Sequence, residues 1–301
     1  MTRKTISVLI PTKNRQRELL ATLADLRRQT RAPAEVVVID QTPSASSEAE
    51  ARRQLAGQPA IALRYVHDPA IGGAAAARNR AMTLAGGAYW VFLDDDVELK
   101  ADFLAALIGA LETDTRLDGI AGRVTNYVPP PAARRLWQCC FQRGPFYDDR
   151  QPVYWGQIRT RGEAPIPVTR LSGGLMGFRA SRIAGLKFDE GLRGGCEGED
   201  IDFCLRLPQG SRLAITPRAQ LRHLKTMSGR IQEPPLQQHS RVYTYLYFRH
   251  WRRQWGWYSW LNCGLGLWAL AASLRRHSLA PWRWWRHGCR QGQQLALQAR
   301  A

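Results

Sequence analysis

Tyr89-Trp90-Val91-Phe92-Leu93-Asp94-Asp95-Asp96 is the stretch on which the fold turns. Five apolar residues in a row read as a strand buried on both faces, the pattern of a parallel sheet covered by helices. The strand ends in three adjacent carboxylates. Three such charges repel one another unless a cation is present, and hard oxygen ligands on a short turn suit Mg²⁺ or Mn²⁺ bridging a diphosphate. The plain alternative is an acidic turn capping the helix that starts near Ala101. The apolar strand in front of the acids, and a second polar cluster upstream, weigh against it.

Working outward, residues 6–10 form an apolar run closed by Pro11 and predict a strand. Leucines at 19, 20, 23 and 26 have helical spacing over residues 18–29. Residues 36–39 form a β-branched strand ending at Asp40, and residues 63–66 a third. Gly72-Gly73 precedes a helical stretch over 74–85, and residues 103–111 predict another helix. Alternating strands and helices imply a mainly parallel α/β sheet with helices on both faces. In such sheets ligands bind beyond the carboxyl ends of the strands. Residues 12–15, Asp40 and residues 94–96 all fall there, which makes one site from distant segments. Residues 126–167, rich in Pro and aromatics and without a clear period, read as a long loop or flap over it.

A second acidic cluster lies in Gly198-Glu199-Asp200-Ile201-Asp202, opening a helix over 199–207. Transfer to a hydroxyl needs a base for the departing proton, and a carboxylate at a helix N-terminus is well held for that work. An N-cap with acidic first-turn residues is the common structural alternative.

Five segments together resemble a known family. They are Ser7-Val8-Leu9-Ile10-Pro11-Thr12-Lys13-Asn14-Arg15, Glu35-Val36-Val37-Val38-Ile39-Asp40, Gly73-Ala74-Ala75-Ala76-Ala77-Arg78-Asn79, Phe92-Leu93-Asp94-Asp95-Asp96 and Gly198-Glu199-Asp200-Ile201-Asp202. In this order and spacing, over about residues 5–228, the chain resembles a family 2 glycosyltransferase of the GT-A fold. The resemblance implies a Rossmann-like, mainly parallel mixed sheet and an inverting displacement at an anomeric carbon. It implies a donor that is a UDP-, dTDP- or GDP-linked sugar, and Mn²⁺ or Mg²⁺ as cofactor. Pro11, Thr12, Asn14 and Arg15 would line the nucleotide pocket, Asp40 would accept from the base, and Arg78 would hold base or phosphates. Asp94 belongs to the donor-binding set. Asp95 and Asp96 would face ribose and metal, with Asp96 the direct ligand. Asp200 matches the catalytic base, with Glu199 beside it orienting the acceptor. Gln41 departs from the pattern, since many members carry a second acid there.

His223 lies beyond a strand predicted at 212–215 and the loop after it. In the resemblance it completes the metal shell, while as a residue it is equally a surface His in a basic loop. Gly173-Gly174 looks like the family's acceptor-side loop, and a core glycine turn explains it nearly as well. Gly264-Leu265-Gly266-Leu267-Trp268-Ala269 matches a dinucleotide-binding pattern by spelling alone, with no strand-turn-helix around it.

The charge is lopsided. Of a net +18 over 301 residues, most arises after Asp202, where sixteen Lys and Arg face one acid, Glu233. Eight of eleven Trp lie between Trp251 and Trp285, interleaved with Arg. Residues 260–274 are apolar but shorter than the roughly 20 residues that cross a bilayer. The expectation is a catalytic domain over 1–228 and a helical tail over 229–301 lying on an anionic membrane surface. A dimer interface and single-stranded nucleic acid are the less favoured partners of that tail. Cys139, Cys140, Cys196, Cys204, Cys263 and Cys289 form no C-x-x-C pair, and no secretory signal is visible. The expected location is the cytoplasm, peripheral to the inner face of the cell membrane, with a saccharide or lipid-linked acceptor in envelope polysaccharide synthesis.

Overall fold

The structure, a computed structural model, describes residues 4–44, 46–57, 60–156, 164–192, 198–226 and 233–299. The chain divides into two compact units: Met1–Tyr127, Asp149–Glu190 and Glu199–Gly229 in the first, and Val128–Asp148, Gly191–Gly198 and Arg230–Ala301 in the second.

In the first unit the elements are β1 (Ile6–Thr12), α1 (Gln16–Arg27), β2 (Glu35–Asp40), α2 (Glu48–Leu55), β3 (Ala62–His67), α3 (Ala74–Met82) and β4 (Tyr89–Leu93). The strands β3-β2-β1-β4 are adjacent and parallel. β1 and β2 are buried at every position, as their unbroken apolar runs require. Pro11 is tolerated in β1 because the ladder to β4 ends at Leu9, so no bond is lost on that side.

Beyond β4 the sheet turns mixed. The next elements are β5 (Val97–Leu99), α4 (Phe103–Thr113), β6 (Gly119–Val124), α5 (Ala132–Phe141), α6 (Gln151–Tyr154), β7 (Ile166–Val168), β8 (Leu175–Arg179), α7 (Ala180–Ile183), α8 (Glu199–Leu205) and β9 (Leu213–His223). The sheet continues β4-β8-β6-β9-β5, with β7 also on β9. Here β8 runs antiparallel to β4 and β6, and β9 pairs parallel with β6 and antiparallel with β5. A core of Val, Leu, Ile and Phe fills the space between sheet and helices, including Phe92, Phe103, Phe178 and Phe203, all fully buried.

The second unit is helical: α5, a short 3₁₀ turn at Gly144–Phe146, α9 (Pro235–His250), α10 (Trp255–Arg275) and α11 (Ala280–Gln298). Its core gathers Phe146, Tyr247, Tyr258, Leu261 and Leu265, with Trp137, Trp251, Trp268, Trp282 and Trp285 packed around them. Much of the tryptophan enrichment is therefore core. Among the described residues no helix is long and apolar enough to cross a membrane.

Two expectations are corrected. Residues 126–167 are not one long loop: after Pro131 at its N-cap comes the amphipathic helix α5, whose Trp137 and Phe141 rings pack at a tilt and which belongs with the C-terminal helices. The strand predicted at 212–215 runs on to His223, so His223 ends a strand instead of following a loop. The Gly264–Gly266 spelling falls inside α10, away from any strand-turn-helix unit. Cys196 lies outside the described residues, and the other five cysteines are free thiols.

Candidate active site

Strand register assembles the site. Leu9 lies opposite Phe92 in the β1–β4 ladder, so three residues further on Thr12 comes level with Asp95. The Thr12 hydroxyl donates to Asp95 Oδ2 at 2.7 Å, and Arg15 Nη1 meets Asp95 Oδ1 at 2.9 Å. Burial lifts the Asp95 pKa to about 6 even against these partners. Both Asp95 oxygens are thus taken by Thr12 and Arg15, while Asp94 and Asp96 each turn an oxygen toward His223.

His223 supplies the third group. β5 begins at Val97, directly after the acids, and Val97 pairs with His223 on β9. That pairing carries the imidazole to the acidic turn: His223 Nε2 is 3.1 Å from Asp96 Oδ1 and 3.7 Å from Asp94 Oδ2. Asn126 fixes the strand end, accepting from the His223 amide at 3.0 Å and donating to its carbonyl at 2.9 Å. Burial raises the Asp96 carboxyl, but His223, the Thr226 amide at 2.8 Å and Arg15 outweigh it and hold it below the ordinary range. One ligand atom each from Asp94, Asp96 and His223 lies within 4.8 Å of the others. Two carboxylates and an imidazole on one side of a turn fit a divalent ion such as Mn²⁺ or Mg²⁺, with positions left for a substrate's oxygens. The sequence groups Asp94 with the nucleotide ligands; by geometry it also stands with Asp96 and His223 in the group that could hold an ion.

Arg78 joins the two acidic clusters. From α3 its Nη1 reaches Glu199 Oε1 at 2.7 Å and its Nη2 reaches Asp94 Oδ1 at 3.4 Å. Both Arg78 and Glu199 are buried. Burial raises the Glu199 pKa and the Arg78 charge opposes that rise. Asp200, next in α8, accepts from the Gly173 amide at 3.2 Å and from Arg150 Nη1 at 3.1 Å. Arg150 also donates to the Leu171 carbonyl at 2.9 Å, tying the base candidate to the turn before β8. Asp202 stands apart, buried and paired with Arg206 at 2.7 Å one turn along α8.

The glycines acquire a reason. Leu93 pairs with Leu175, so Gly174 comes opposite Asp94, whose amide donates to the Gly174 carbonyl at 3.1 Å. A Cβ on Gly174 would stand 2.1 Å from Asp94 Oδ2, and one on Gly173 3.1 Å from Arg78 Nη2. Both sites are kept bare for the functional side chains.

At the outer end of the parallel strands, Asp40 is buried and level with Thr12. One oxygen accepts from the Thr42 amide at 2.9 Å and the other from the Tyr65 hydroxyl at 2.7 Å. Burial and Asp40 together raise the Tyr65 pKa, so the phenol stays a donor. Pro11 is buried in β1, while Asn14 is exposed in the left-handed region at φ 56°, its amide donating to Thr42 Oγ1 at 2.8 Å. Gln41, the departure from the family pattern, accepts from the Gly73 amide at 2.8 Å and so ties the end of β2 to the start of α3. Sequence reading missed Tyr65, Asn126 and Arg150. The signal for Tyr65 is its place in β3, level with Val38 and two residues short of Asp40; nothing local marks the other two.

The family model for glycosyl transferase family 2 matches residues 7–181, more than half of the chain. The chain belongs to that family. Among curated proteins it is 29% identical over 205 residues to the succinoglycan biosynthesis protein ExoM of Rhizobium meliloti (strain 1021), covering 67% of this chain and 60% of that protein. It is 29% identical over 103 residues to the putative colanic acid biosynthesis glycosyl transferase WcaA of Escherichia coli (strain K12), covering 34% of this chain and 36% of that one. The chain thus spans less than two thirds of either relative. Among solved structures it superposes on GalNAc-T7 with UDP, GalNAc and Mn²⁺ (TM-score 0.54, 18% identity, 82% of this chain and 50% of that one). It also superposes on S. aureus TarS (TM-score 0.52, 17% identity, 82% and 40%). This family 2 chain therefore has the GT-A fold, a mixed sheet with helices to which a C-terminal helical region is added.

Proposed function

We propose that the protein transfers a sugar, with inversion, from a nucleotide-sugar donor to an acceptor hydroxyl. The observation that carries this is Arg78, which bridges the Asp94–Asp96–His223 group to the Glu199–Asp200 pair. The first group faces a donor diphosphate and the second an acceptor, so reacting partners are brought to one guanidinium.

Asp94, Asp96 and His223 would hold Mn²⁺ or Mg²⁺, which when bound neutralises charge building on the leaving diphosphate. Arg78 adds a fixed positive charge on that side. Asp200 takes the acceptor hydroxyl's proton, held in place by Gly173 and Arg150. Glu199, pinned by Arg78, shapes the acceptor side next to it. Thr12, Asn14, Arg15 and Asp40 surround the nucleoside, with Pro11 and Asp95 supporting them from below. Gly173 and Gly174, on the acceptor side, leave room for the Arg78 and Asp94 side chains.

UDP, dTDP and GDP are the donor nucleotides considered, and the UDP of one fold relative favours the first. The names of the two curated relatives favour an envelope polysaccharide or lipid-linked acceptor. Residues 1–228 carry the chemistry, and residues 229–301 keep the protein on the cytoplasmic, anionic face of the cell membrane.

The test is nucleoside diphosphate release from a panel of UDP-, dTDP- and GDP-sugars with Mn²⁺ or Mg²⁺. Release from one donor, lost in Asp96→Ala and strongly reduced in Asp200→Asn when acceptor is supplied, is expected. No release and no donor binding by calorimetry would defeat the proposal.

A further inference from the structure

The uncharged stretch of α10 carries two different faces. From Trp255 to Leu274 it holds no Asp, Glu, Lys or Arg. Tyr258, Leu261, Leu265, Ala269 and Ser273 are buried in the helical unit. On the opposite side Trp260, Cys263, Leu267, Leu270 and Leu274 recur at alternating spacings of three and four, one stripe about 21 Å long at 1.5 Å per residue. The stripe is open: Trp260 is 49% exposed, Leu267 52%, Leu270 49% and Leu274 68%. Three leucines left in water along one helix face, beside a Trp260 that is half covered by Phe141 and donates its indole N–H to the Cys140 carbonyl, call for an occupant.

The charges at the ends of α10 and on α11 identify it. Arg252 and Arg253 precede α10, and Arg275 and Arg276 close it. On α11 the residues Arg283, Arg286, His287 and Arg290 share one exposed face, opposite the face that Gly288, Gly292 and Ala296 bury. They line a cleft of about 440 Å³ with Gln237 and Trp284. Residues 233–299 hold one acid, Glu233, and it is spent on Arg241 at 2.9 Å. Among the described residues no carboxylate pairs with Arg283, Arg286 or Arg290.

We infer that α10 lies in the plane of one anionic leaflet, its Trp260–Leu274 stripe in the acyl boundary and the α11 arginines on lipid phosphates. This rests on the membrane placement proposed above and names the element, its mode of insertion and the lipid chemistry. A stripe of apolar residues, arginines at both helix ends and tryptophan near one end are what the interface selects. Lying flat agrees with the absence, among the described residues, of a helix able to cross. A second copy of this chain fits less well. The same three-four spacing occurs in coiled coils, but these need more heptads and charged flanking positions of both signs. Pairing two copies here would set arginines against arginines.

The experiment is co-sedimentation of the full chain with phosphatidylcholine vesicles containing or lacking phosphatidylglycerol, alongside sedimentation velocity without lipid. Binding is expected only with phosphatidylglycerol and should weaken with salt. Leu267→Ser/Leu270→Ser/Leu274→Ser should weaken it roughly tenfold or more through lost apolar area. Arg283→Gln/Arg286→Gln/Arg290→Gln should weaken it on the order of a hundredfold. All six positions are exposed, and far-UV circular dichroism confirms that each variant keeps its helices. Donor hydrolysis in solution should match wild type in both variants. Vesicle binding unaffected by the leucine changes, no binding at all, or a dimer that the leucine changes dissolve would each overturn the inference. Vesicle binding without hydrolysis of any donor would instead defeat the enzymatic reading and leave this one standing.

Discussion

Gly174 lies where Asp94 needs room: a Cβ on Gly174 would come within 2.1 Å of Asp94 Oδ2. The contact is with the end of a side chain, so Gly174→Ala should fold and instead turn Asp94 away from Asp96 and His223. The expected result is a metal half-saturation raised about 10–100-fold, the range for disturbing a supporting group around a metal ligand. Titrating Mn²⁺ against nucleoside diphosphate release checks this. Asp94→Ala and the double variant should then be equally impaired, because the glycine acts only through that carboxylate.

The Arg78–Glu199 pair makes an opposite kind of prediction, in which stability suffers first. Removing Arg78 leaves a buried carboxylate whose Oε2 already has no hydrogen-bond partner among the described residues. Arg78→Ala should cost about 3–5 kcal/mol in urea unfolding at neutral pH. Burial raises the folded pKa of Glu199, and removing Arg78 takes away the main opposition to that rise. The folded state then binds more protons than the unfolded chain, so the variant's stability should fall as pH rises from about 4 upward. Arg78→Met/Glu199→Gln should recover much of the stability while staying inactive. A pH-independent defect in Arg78→Ala would show that the pair is not what holds the site.

These two predictions also mark what the sequence could and could not display. The strands that deliver Thr12, Asp40 and Asp94–Asp96 were legible because each is an apolar run that stops at a polar residue, a local pattern. His223 was only half legible. Its role depends on the pairing of Val97 with His223 between strands more than a hundred residues apart, and no local period announces such a register. Arg150 was hidden for the same reason: its meaning is its distance to Asp200. The argument from three repelling carboxylates rests on an incomplete premise, because Arg15 and Thr12 already take both oxygens of Asp95. The tryptophans divide by environment, with Trp251 and Trp285 in the helical core and Trp255 and Trp260 in the open. Composition alone assigns them all to one surface.

Away from the site, Glu35 gives the first unit an acid-sensitive clasp. Its carboxylate accepts from Ser7 Oγ and the Gly86 amide, each at 2.6 Å, and from Arg64 Nε at 2.7 Å. Burial pushes its pKa up, but these three donors outweigh burial and bring it below the ordinary value. A depressed folded pKa contributes stability above the unfolded value, lost as pH falls through the folded one. Glu35→Gln should therefore cost about 1–2 kcal/mol at pH 7, and the gap to wild type should close below about pH 4. Parallel urea melts across that range would show it, and a gap constant with pH would mean that the charge contributes nothing.

The helical unit depends on two missing side chains. A Cβ on Gly288 would sit 2.2 Å from the Gln237 carbonyl oxygen, and one on Gly292 2.2 Å from that of Arg241. With Ala296 they make a small residue every fourth position on α11, a row that lets it lie directly on the backbone of α9. Unlike Asp94 beside Gly174, a main-chain carbonyl inside a helix cannot swing aside. Gly288→Ala should therefore separate the two helices and cost about 1–3 kcal/mol, with Gly292→Val worse. Hydrogen exchange followed by peptide mass spectrometry should show protection falling across Pro235–His250 and Ala280–Gln298 while β1, β2 and β4 keep theirs. Gly256→Ala, at a position where a Cβ meets nothing within 4 Å, is the matched control. It should leave exchange unchanged, since the added methyl has nothing to displace. If Gly288→Ala behaved like that control, the close approach of α11 to α9 would not be what holds this unit together.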